Sequence, residues 1–374
     1  MLKVTNKTVL LWIFFICIDF FIAAGLSELW IRFFIPVKNI CYYHDSILGD
    51  MFCPNQHTYG YVEKGYTNIF TNNSLGFHDI ERSKQKEETT LRIQIYGDSL
   101  TAAAGVPIDK TIPSLLDTYI NDGNPPFPVE VLNMASAEDS TVSQYLTYQY
   151  IGKDFSTDIV ICYFMSDFHD NIFETHQRTR SPYYNIDANG ELIFIPPQYV
   201  DVSSQLEKFK RSSILYRLFA NKFLESKLYS NLNKTQQKIR YFFHPTSNHN
   251  QQKMVDLSEN RKKIMREKAW PITLRLLQEF KKEVIKNGGQ FMLIDGRLIT
   301  DEFGGVYSNH DLELFCKENS IPYIAAFAEY EQLRKGQDSE KYFFEDGHPT
   351  IQGNEIISNI LVEKLIPLVF QPKP

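Results

Sequence analysis

The sequence predicts an α/β protein built on a parallel sheet, and three observations support this. First, short apolar stretches alternate with helix-like stretches in two parts of the chain, a pattern typical of βαβ units. Second, the stretch DIVICYFM at 158–165 is apolar enough to be a strand buried on both faces. Third, turns rich in Asp, Ser and His adjoin these stretches, and ligands bind beyond the carboxyl ends of parallel strands.

The elements are assigned in chain order. The first group comprises strands at 91–96, 129–135 and 158–165 and helices at 112–120 and 142–151. The second group comprises helices at about 266–287, 310–318 and 351–366 and strands at 290–295 and 322–327. Residues 171–265 interrupt this alternation and are interpreted as an insertion, with an Asn-Gly hairpin at 187–194 and an amphipathic helix at 212–223.

The N-terminal stretch 9–26 is apolar except for Asp19. As a helix it spans roughly 27 Å, close to the thickness of a bilayer's hydrocarbon core. Its Leu, Ile, Val and Phe residues outweigh the ~2.5–3.5 kcal/mol that Asp19 costs on insertion. Lys3 and Lys7 precede it, which predicts a single-pass anchor with the N-terminus in the cytoplasm and the bulk of the chain outside, on the periplasmic or extracellular face. A cleaved signal peptide is the alternative, and it also takes the remainder out of the cytoplasm.

The expected organisation has three parts. Residues 1–38 form the cytoplasmic N-terminus and anchor, 39–90 a juxtamembrane lead-in, and 91–374 the α/β domain with its insertion. Cys41 and Cys53 could form a disulfide in an oxidising compartment or remain free thiols. The net charge is −6 and no long Lys/Arg block occurs, which argues against a nucleic-acid surface.

Three polar segments far apart in the sequence should meet at one rim of the sheet: 97–99, 167–171 and 345–357. Ser99 follows the first strand, and a serine hydroxyl needs a neighbouring base to act as a nucleophile. His348 is the predicted base, and Asp346 is the predicted carboxylate that orients its ring. Glu345 is the competing carboxylate.

These segments, with NSLGFHD at 73–79, resemble blocks of the GDSL/SGNH hydrolase superfamily. The likeness is closest to its bacterial membrane-anchored or secreted esterases, with an NSLGFRD-like lead-in, a GDSFT-like nucleophile block and a DGHPN-like final block. It covers roughly 72–170 and 290–366. The resemblance implies a flavodoxin-like three-layer α/β/α sandwich, with Ser99 as nucleophile, His348 as base and Asp346 as its acid.

The resemblance also implies an oxyanion hole made by the Ser99 amide, a second-block amide and a third-block asparagine. Here the chain departs from the family pattern. Ala135 replaces the usual glycine and keeps an amide donor, whereas Ser166 replaces the asparagine. Loss of one oxyanion donor typically costs ~10²–10³ in rate. Ser166 is expected to donate instead, with Asn171 as a secondary candidate.

The expected activity is that of a serine esterase, either a carboxylesterase or an O-acyltransferase, acting on an acylated small molecule or envelope glycan. The altered third block leaves another class open, a catalytically retired glycan-binding or scaffold protein. No metal or cofactor is expected, although Asp167, His169, Asp170 and His176 have ligand chemistry without a recognised metal spacing. The oligomeric state is left undetermined.

Overall fold

The structure is a computed structural model, and it divides the chain into two compact units. One unit comprises 1–37 and 201–254, and the other comprises 38–200 and 255–374. The residues that the structure describes are 6–34, 40–63, 66–136, 140–164, 170–172, 180–187, 189–198, 213, 215–216, 262–296, 309–326, 328–329, 332–333 and 339–370.

A long helix begins the chain, and four short strands follow it in the lead-in. These elements are α1 (Asn6–Phe34), β1 (Tyr42–Asp45), β2 (Gly49–Phe52), β3 (His57–Glu63) and β4 (Tyr66–Thr71). Two antiparallel hairpins result, β1–β2 and β3–β4. The sequence analysis assigned no strands to this region, because short strands with mixed polar and aromatic residues show little period-2 alternation.

The α/β elements follow in the predicted order. The first set is β5 (Leu91–Tyr96), α2 (Ser99–Ala102), α3 (Ile112–Asp122), β6 (Val129–Asn133), α4 (Thr141–Tyr150) and β7 (Ile159–Phe164), with 3₁₀ turns at Ile108–Lys110 and Gly152–Asp154. A hairpin of β8 (Tyr183–Ile186) and β9 (Leu192–Ile195) comes next. The last set is a π-helical turn (Met265–Ala269), α5 (Trp270–Lys286), β10 (Gln290–Asp295), α6 (Asn309–Glu318), β11 (Tyr323–Ala325), α7 (Ser339–Tyr342) and α8 (Ile351–Val369).

Five of these strands form one parallel sheet in the spatial order β6-β5-β7-β10-β11. Counted along the chain, this is the order 2-1-3-4-5 of flavodoxin-like folds. In the register, Ile95 of β5 lies opposite Asn133 of β6 and Ile161 of β7. The topology therefore confirms the predicted flavodoxin-like fold, and its switch point lies between β5 and β7.

Helices cover both faces of this sheet. Along β7, Ile159, Ile161 and Tyr163 join the core under α3 and α8, while the alternate residues join the core under α4, α5 and α6. All six residues of β7 are buried, as the sequence predicted. Burying a large apolar side chain contributes roughly 1.5–3 kcal/mol, so these two cores hold the three layers together.

Within the insertion, the predicted Asn-Gly hairpin is confirmed. Strands β8 and β9 are antiparallel, and the turn closes with a hydrogen bond from the Asp187 amide to the Glu191 carbonyl. Gly190 has a φ of +84°, which explains the glycine at that place. The amphipathic helix predicted at 212–223 lies almost wholly outside the described residues.

Helix α1 contains a stretch, Leu11–Ile31, that is long and apolar enough to cross a membrane, and none of its hydrophobic window is buried. In the same unit, Glu28 near the C-terminal end of α1 accepts hydrogen bonds from the Ser213 hydroxyl and the Leu215 amide. The expected apolar N-terminal helix is thus present in the structure.

The structure joins Cys41 and Cys53 in a disulfide. Side-chain hydrogen bonds from Gln56 to the Cys41 and Cys53 carbonyls reinforce the closed loop. Cys17, Cys162 and Cys316 are free thiols. Of the two alternatives that the sequence left open, the structure has the bridge.

We expect iodoacetamide to modify three cysteines of the denatured full chain without reductant, and all five after reduction. Mass spectrometry of the intact protein reads the difference. The double variant Cys41→Ser, Cys53→Ser should give three modifications in both conditions. Five modifications of the wild-type chain without reductant would show that the bridge is absent.

Candidate active site

A tight turn at the carboxyl end of β5 places Ser99 at the sheet's switch point. A Cβ atom on Gly97 would lie 2.2 Å from the Thr101 hydroxyl oxygen, so only glycine fits there. Asp98 caps α2, its carboxylate accepting the Leu100 amide at 2.9 Å. Helix α2 ends at Ala103, which has a left-handed φ of 51°. Ser99 is therefore the first residue of a one-turn helix closed at both ends.

A second tight turn carries Asp346 and His348 and leads into α8. Its ends are joined by a hydrogen bond from the Phe344 amide to the His348 carbonyl, 2.8 Å long. Gly347 donates its amide to the Phe344 carbonyl and has a φ of +85°, a conformation that favours glycine. The sequence Asp-Gly-His thus lies in a compact loop from which the side chains of Asp346 and His348 project.

The two turns meet. His348 Nε2 lies 2.9 Å from Ser99 Oγ, and His348 Nδ1 lies 3.0 Å from Asp346 Oδ1. The same Oδ1 accepts the His348 amide hydrogen at 3.1 Å, which holds the carboxylate beside the ring. The structure thus brings together the three predicted residues, and the carboxylate beside the ring belongs to Asp346 rather than to Glu345.

The approach of Asp346 to His348 is short but is not aligned as a hydrogen bond. The side chains are 43% and 34% exposed respectively, so water screens their attraction. The tautomer with the proton on Nδ1 would leave Nε2 free to accept the Ser99 proton. The arrangement therefore suits a base that reorients slightly when a substrate excludes water.

Asp98 is a second carboxylate that acts on His348. Burial raises the pKa of Asp98 to about 6, and its hydrogen bond from Leu100 and the charge of His348 oppose that rise. The sequence analysis treated Asp98 only as part of the turn, because its electrostatic role depends on how close the final loop comes.

Two predicted oxyanion donors lie in the described region. The Ser99 amide donates to no atom of the described residues, whereas those of Leu100, Thr101 and Ala102 all donate to Asp98. Ala135 is fully buried, and its amide donates to Asn133 Oδ1 at 3.2 Å. The second-block amide is thus held by a neighbouring side chain.

Asn133 was not singled out from the sequence, yet it anchors the second block. It is buried, and its side-chain nitrogen donates to the His78 and Thr101 carbonyls. It thereby links the lead-in, helix α2 and the end of β6. The signal was present as an Asn at the end of an apolar stretch, but its partners come from distant parts of the chain.

The remaining predicted donors are placed differently. The side-chain oxygen of Asn171 accepts the Val142 amide, and its nitrogen donates to the Thr273 hydroxyl. Asn171 is fully buried between α4 and α5, so this geometry gives it a structural role and does not support the secondary oxyanion assignment. Ser166 lies outside the described residues, as do Asp167, His169 and His176 of the metal-ligand alternative.

No protein-family model and no curated protein matches the sequence. Solved structures do match, although at low similarity. The chain is 11% identical to TesA, covering 74% of this chain and 99% of TesA, with a TM-score of 0.37. It is 11% identical to an acetyl xylan esterase, AlAXEase, covering 75% of this chain and 100% of that one, with a TM-score of 0.37. It is 12% identical to a putative GDSL-like lipase from Parabacteroides merdae, covering 73% and 94%, with a TM-score of 0.38.

Two of these structures are thus described as an acetyl xylan esterase and a putative GDSL-like lipase.

We expect the titration of Asp98 to lower stability as pH rises. Its folded pKa of about 6 exceeds its ordinary value of 3.8, so the folded state binds the proton more tightly than the unfolded state. The free energy of unfolding should therefore fall between about pH 4 and about pH 6. Asp98→Asn keeps an oxygen for the Leu100 amide and removes the titration, so it should reduce this fall by about 1–3 kcal/mol.

Urea unfolding of the full chain in detergent, followed across this pH range, measures the difference. Asp122→Asn, a change at an exposed carboxylate on α3, is the control and should follow the wild-type curve. Parallel curves for wild type and Asp98→Asn would contradict the prediction.

Proposed function

We propose that this protein is a membrane-anchored serine esterase of the GDSL/SGNH hydrolase superfamily that cleaves or transfers an acyl group through an acyl-enzyme. The observation that carries the proposal is the 2.9 Å contact between Ser99 Oγ and His348 Nε2. These residues lie 249 positions apart, and each belongs to a block that the sequence analysis had singled out.

In the first half-reaction, Ser99 Oγ attacks the ester carbonyl carbon and its proton passes to His348 Nε2. The tetrahedral intermediate collapses, the carbon–oxygen ester bond breaks, and the leaving alcohol takes the proton from His348. In the second half-reaction, water or an acceptor alcohol gives its proton to Nε2 and attacks the acyl carbon. The bond between that carbon and Ser99 Oγ then breaks, and Oγ takes the proton back from His348. Hydrolysis and transfer therefore differ only in the second nucleophile.

Charge is stabilised at two places during each half-reaction. The imidazolium of His348 is stabilised by Asp346 and, from the side of the nucleophile turn, by Asp98. The oxyanion accepts a hydrogen bond from the Ser99 amide, and we assign the Ala135 amide and the Ser166 hydroxyl as the second and third donors. For Ala135 this requires the substrate oxygen to share or replace the 3.2 Å bond to Asn133.

Two features of the chain support an extracytoplasmic location. Helix α1 contains the stretch Leu11–Ile31, which is long and apolar enough to cross a membrane, and Lys3 and Lys7 precede that stretch. The disulfide between Cys41 and Cys53 lies just beyond the helix, and disulfides persist in oxidising compartments. A site tethered there would reach acylated glycans or small acyl esters of the cell envelope.

A second function remains a candidate, a catalytically retired protein that binds a glycan or serves as a scaffold. Two observations favour it: Ser166 stands where the family pattern has asparagine, and Asp346 approaches His348 without hydrogen-bond alignment. Catalysis is preferred because Ser99 and His348 are positioned for proton transfer, a geometry that a binding protein has no need to keep.

We expect the full chain in detergent to hydrolyse p-nitrophenyl acetate and Ser99→Ala to lose roughly 10³-fold or more of that rate. Ser156→Ala is the matched control, because Ser156 lies before β7 at the opposite edge of the sheet, and it should keep the wild-type rate. A fluorophosphonate probe should label wild type at Ser99. Labelling without turnover would indicate a narrow substrate or a missing acceptor, and a folded protein with neither would favour the retired class.

We expect Ser166→Ala to lower the rate by about 10²–10³ with little change in stability, as for removal of an oxyanion donor. Asn171→Ala should instead lower stability by about 1–3 kcal/mol and change the rate little, because it leaves buried hydrogen-bonding groups on α4 and α5 without their partner. Turnover of the folded fraction and thermal melting separate the two effects. A larger rate loss in Asn171→Ala would transfer the oxyanion role to Asn171.

A further inference from the structure

Three consecutive carbonyl groups follow the nucleophile helix, and each contacts a side chain from the lead-in. Asn68 donates to the first and Tyr66 to the second, and His78 Nε2 faces the third. The distances are 3.1 Å to Ala104, 3.0 Å to Gly105 and 2.9 Å to Val106. These carbonyls belong to a bend between α2 and the following 3₁₀ turn, so the backbone ladders of a helix or strand do not satisfy them.

The contact of His78 with the Val106 carbonyl is buried, and the other two contacts are partly buried. Asn68 is 4% exposed and His78 is fully buried, and the other ring nitrogen of His78 contacts the Thr71 carbonyl at the end of β4. Leaving a buried carbonyl without a partner costs roughly 1–3 kcal/mol. Gly60 in β3 allows the close approach, because a Cβ atom there would lie 2.6 Å from the Ala104 carbonyl oxygen. The hairpin β3–β4 is thus fitted to the backbone of the nucleophile loop.

The same hairpin also reaches the loop of Asp346 and His348. Phe344 opens that loop, and its ring lies 4.3 Å from the ring of Tyr61 and 5.2 Å from that of Tyr66. The Phe344 ring also covers Gly105, where an added Cβ atom would lie 3.2 Å from it. Tyr66 therefore contacts both halves of the site, through its hydroxyl on one side and its ring on the other.

Helix α2 is a single turn, too short to hold its own geometry. The opposing loop is a tight turn that begins at Phe344 and carries Asp346 and His348, two and four residues further along the chain. A displacement of about 1 Å between such loops can cost roughly 10²-fold in rate. The hairpin contacts both loops, so it can set the distance between Ser99 and His348 without contacting these two residues.

We infer that the β3–β4 hairpin is a positioning element of the active site. Its Tyr66 contacts the nucleophile loop through its hydroxyl and, through its ring, contacts Phe344 at the start of the acid–base loop, so that it fixes the spacing of the two loops. This inference rests on the proposed function for its kinetic consequences, and its structural part stands independently. Tyr66 is the positioning residue whose change is most informative, because Tyr66→Phe removes one hydroxyl and keeps the ring.

The test compares Tyr66→Phe with Tyr59→Phe in the full chain in detergent. Tyr59 lies on the same hairpin but is 37% exposed, its cross-strand partner Ile69 is also exposed, and its hydroxyl makes no hydrogen bond to a described residue. We expect Tyr66→Phe to lower kcat for p-nitrophenyl acetate and the rate of fluorophosphonate labelling by about 10- to 100-fold, with KM nearly unchanged. Tyr59→Phe should match wild type.

Phe344 supplies a second pair of variants. Phe344→Ala should lose a similar factor in kcat, and Phe344→Tyr, which keeps the ring over Gly105, should restore most of it. A merely structural role would instead lower the melting temperature while the folded fraction kept its kcat and its labelling rate. That result in both Tyr66→Phe and Phe344→Ala would overturn the inference.

Histidine side-chain NMR gives a readout that does not require activity. The His348 signals, identified by their loss in His348→Gln, report its contact with Ser99, and we expect Tyr66→Phe to shift them and Tyr59→Phe to leave them in place. If wild type neither turns over ester nor takes the probe, the proposed function fails while this comparison still decides the positioning role. Unshifted His348 signals in Tyr66→Phe would overturn it.

Discussion

The contact between Ser99 and His348 joins two short loops that are 249 residues apart in the sequence. One side-chain hydrogen bond contributes only about 1 kcal/mol, far too little to close so long a segment of chain by itself. The layers of the fold supply the rest. Helix α8 begins just beyond His348 and packs through Leu361 and Leu365 into the same core as Ile93 and Ile95 of β5, the strand that ends at the nucleophile turn. The site is therefore positioned by a core that contains none of its residues.

The fold brings the loops near each other, but finer placement needs local contacts. The carboxyl ends of parallel strands lie at one edge of the sheet, but the turns that follow them can vary in position. Proton transfer needs donor and acceptor heavy atoms at about 2.6–3.2 Å. The lead-in provides contacts of this local kind. Its side chains meet three successive carbonyls after α2, and its aromatic rings meet Phe344. A region that resembles a linker in composition therefore contacts both loops of the candidate site.

Two carboxylates with different surroundings flank His348. Asp346 is largely solvated, so its effect on the imidazole is screened until a substrate excludes water. Asp98 is buried enough to raise its pKa to about 6, and its charge therefore depends on pH in the range where esterases with a histidine base become active.

The sequence by itself predicted the parallel sheet and the order of its strands and helices along the chain, and it singled out Ser99, Asp346 and His348 as candidates, because hydrophobic periodicity and short polar blocks are local signals. Only the tertiary structure decided that Asp346 rather than Glu345 approaches the ring and that Asn171 is enclosed between two helices. It also decided that Asn133, Tyr66, Asn68 and His78 contact backbone carbonyls in and after the nucleophile helix. Each of these outcomes depends on partners far away in the chain. The sequence around an asparagine or a tyrosine does not identify the carbonyl or ring that its side chain contacts once the layers have packed.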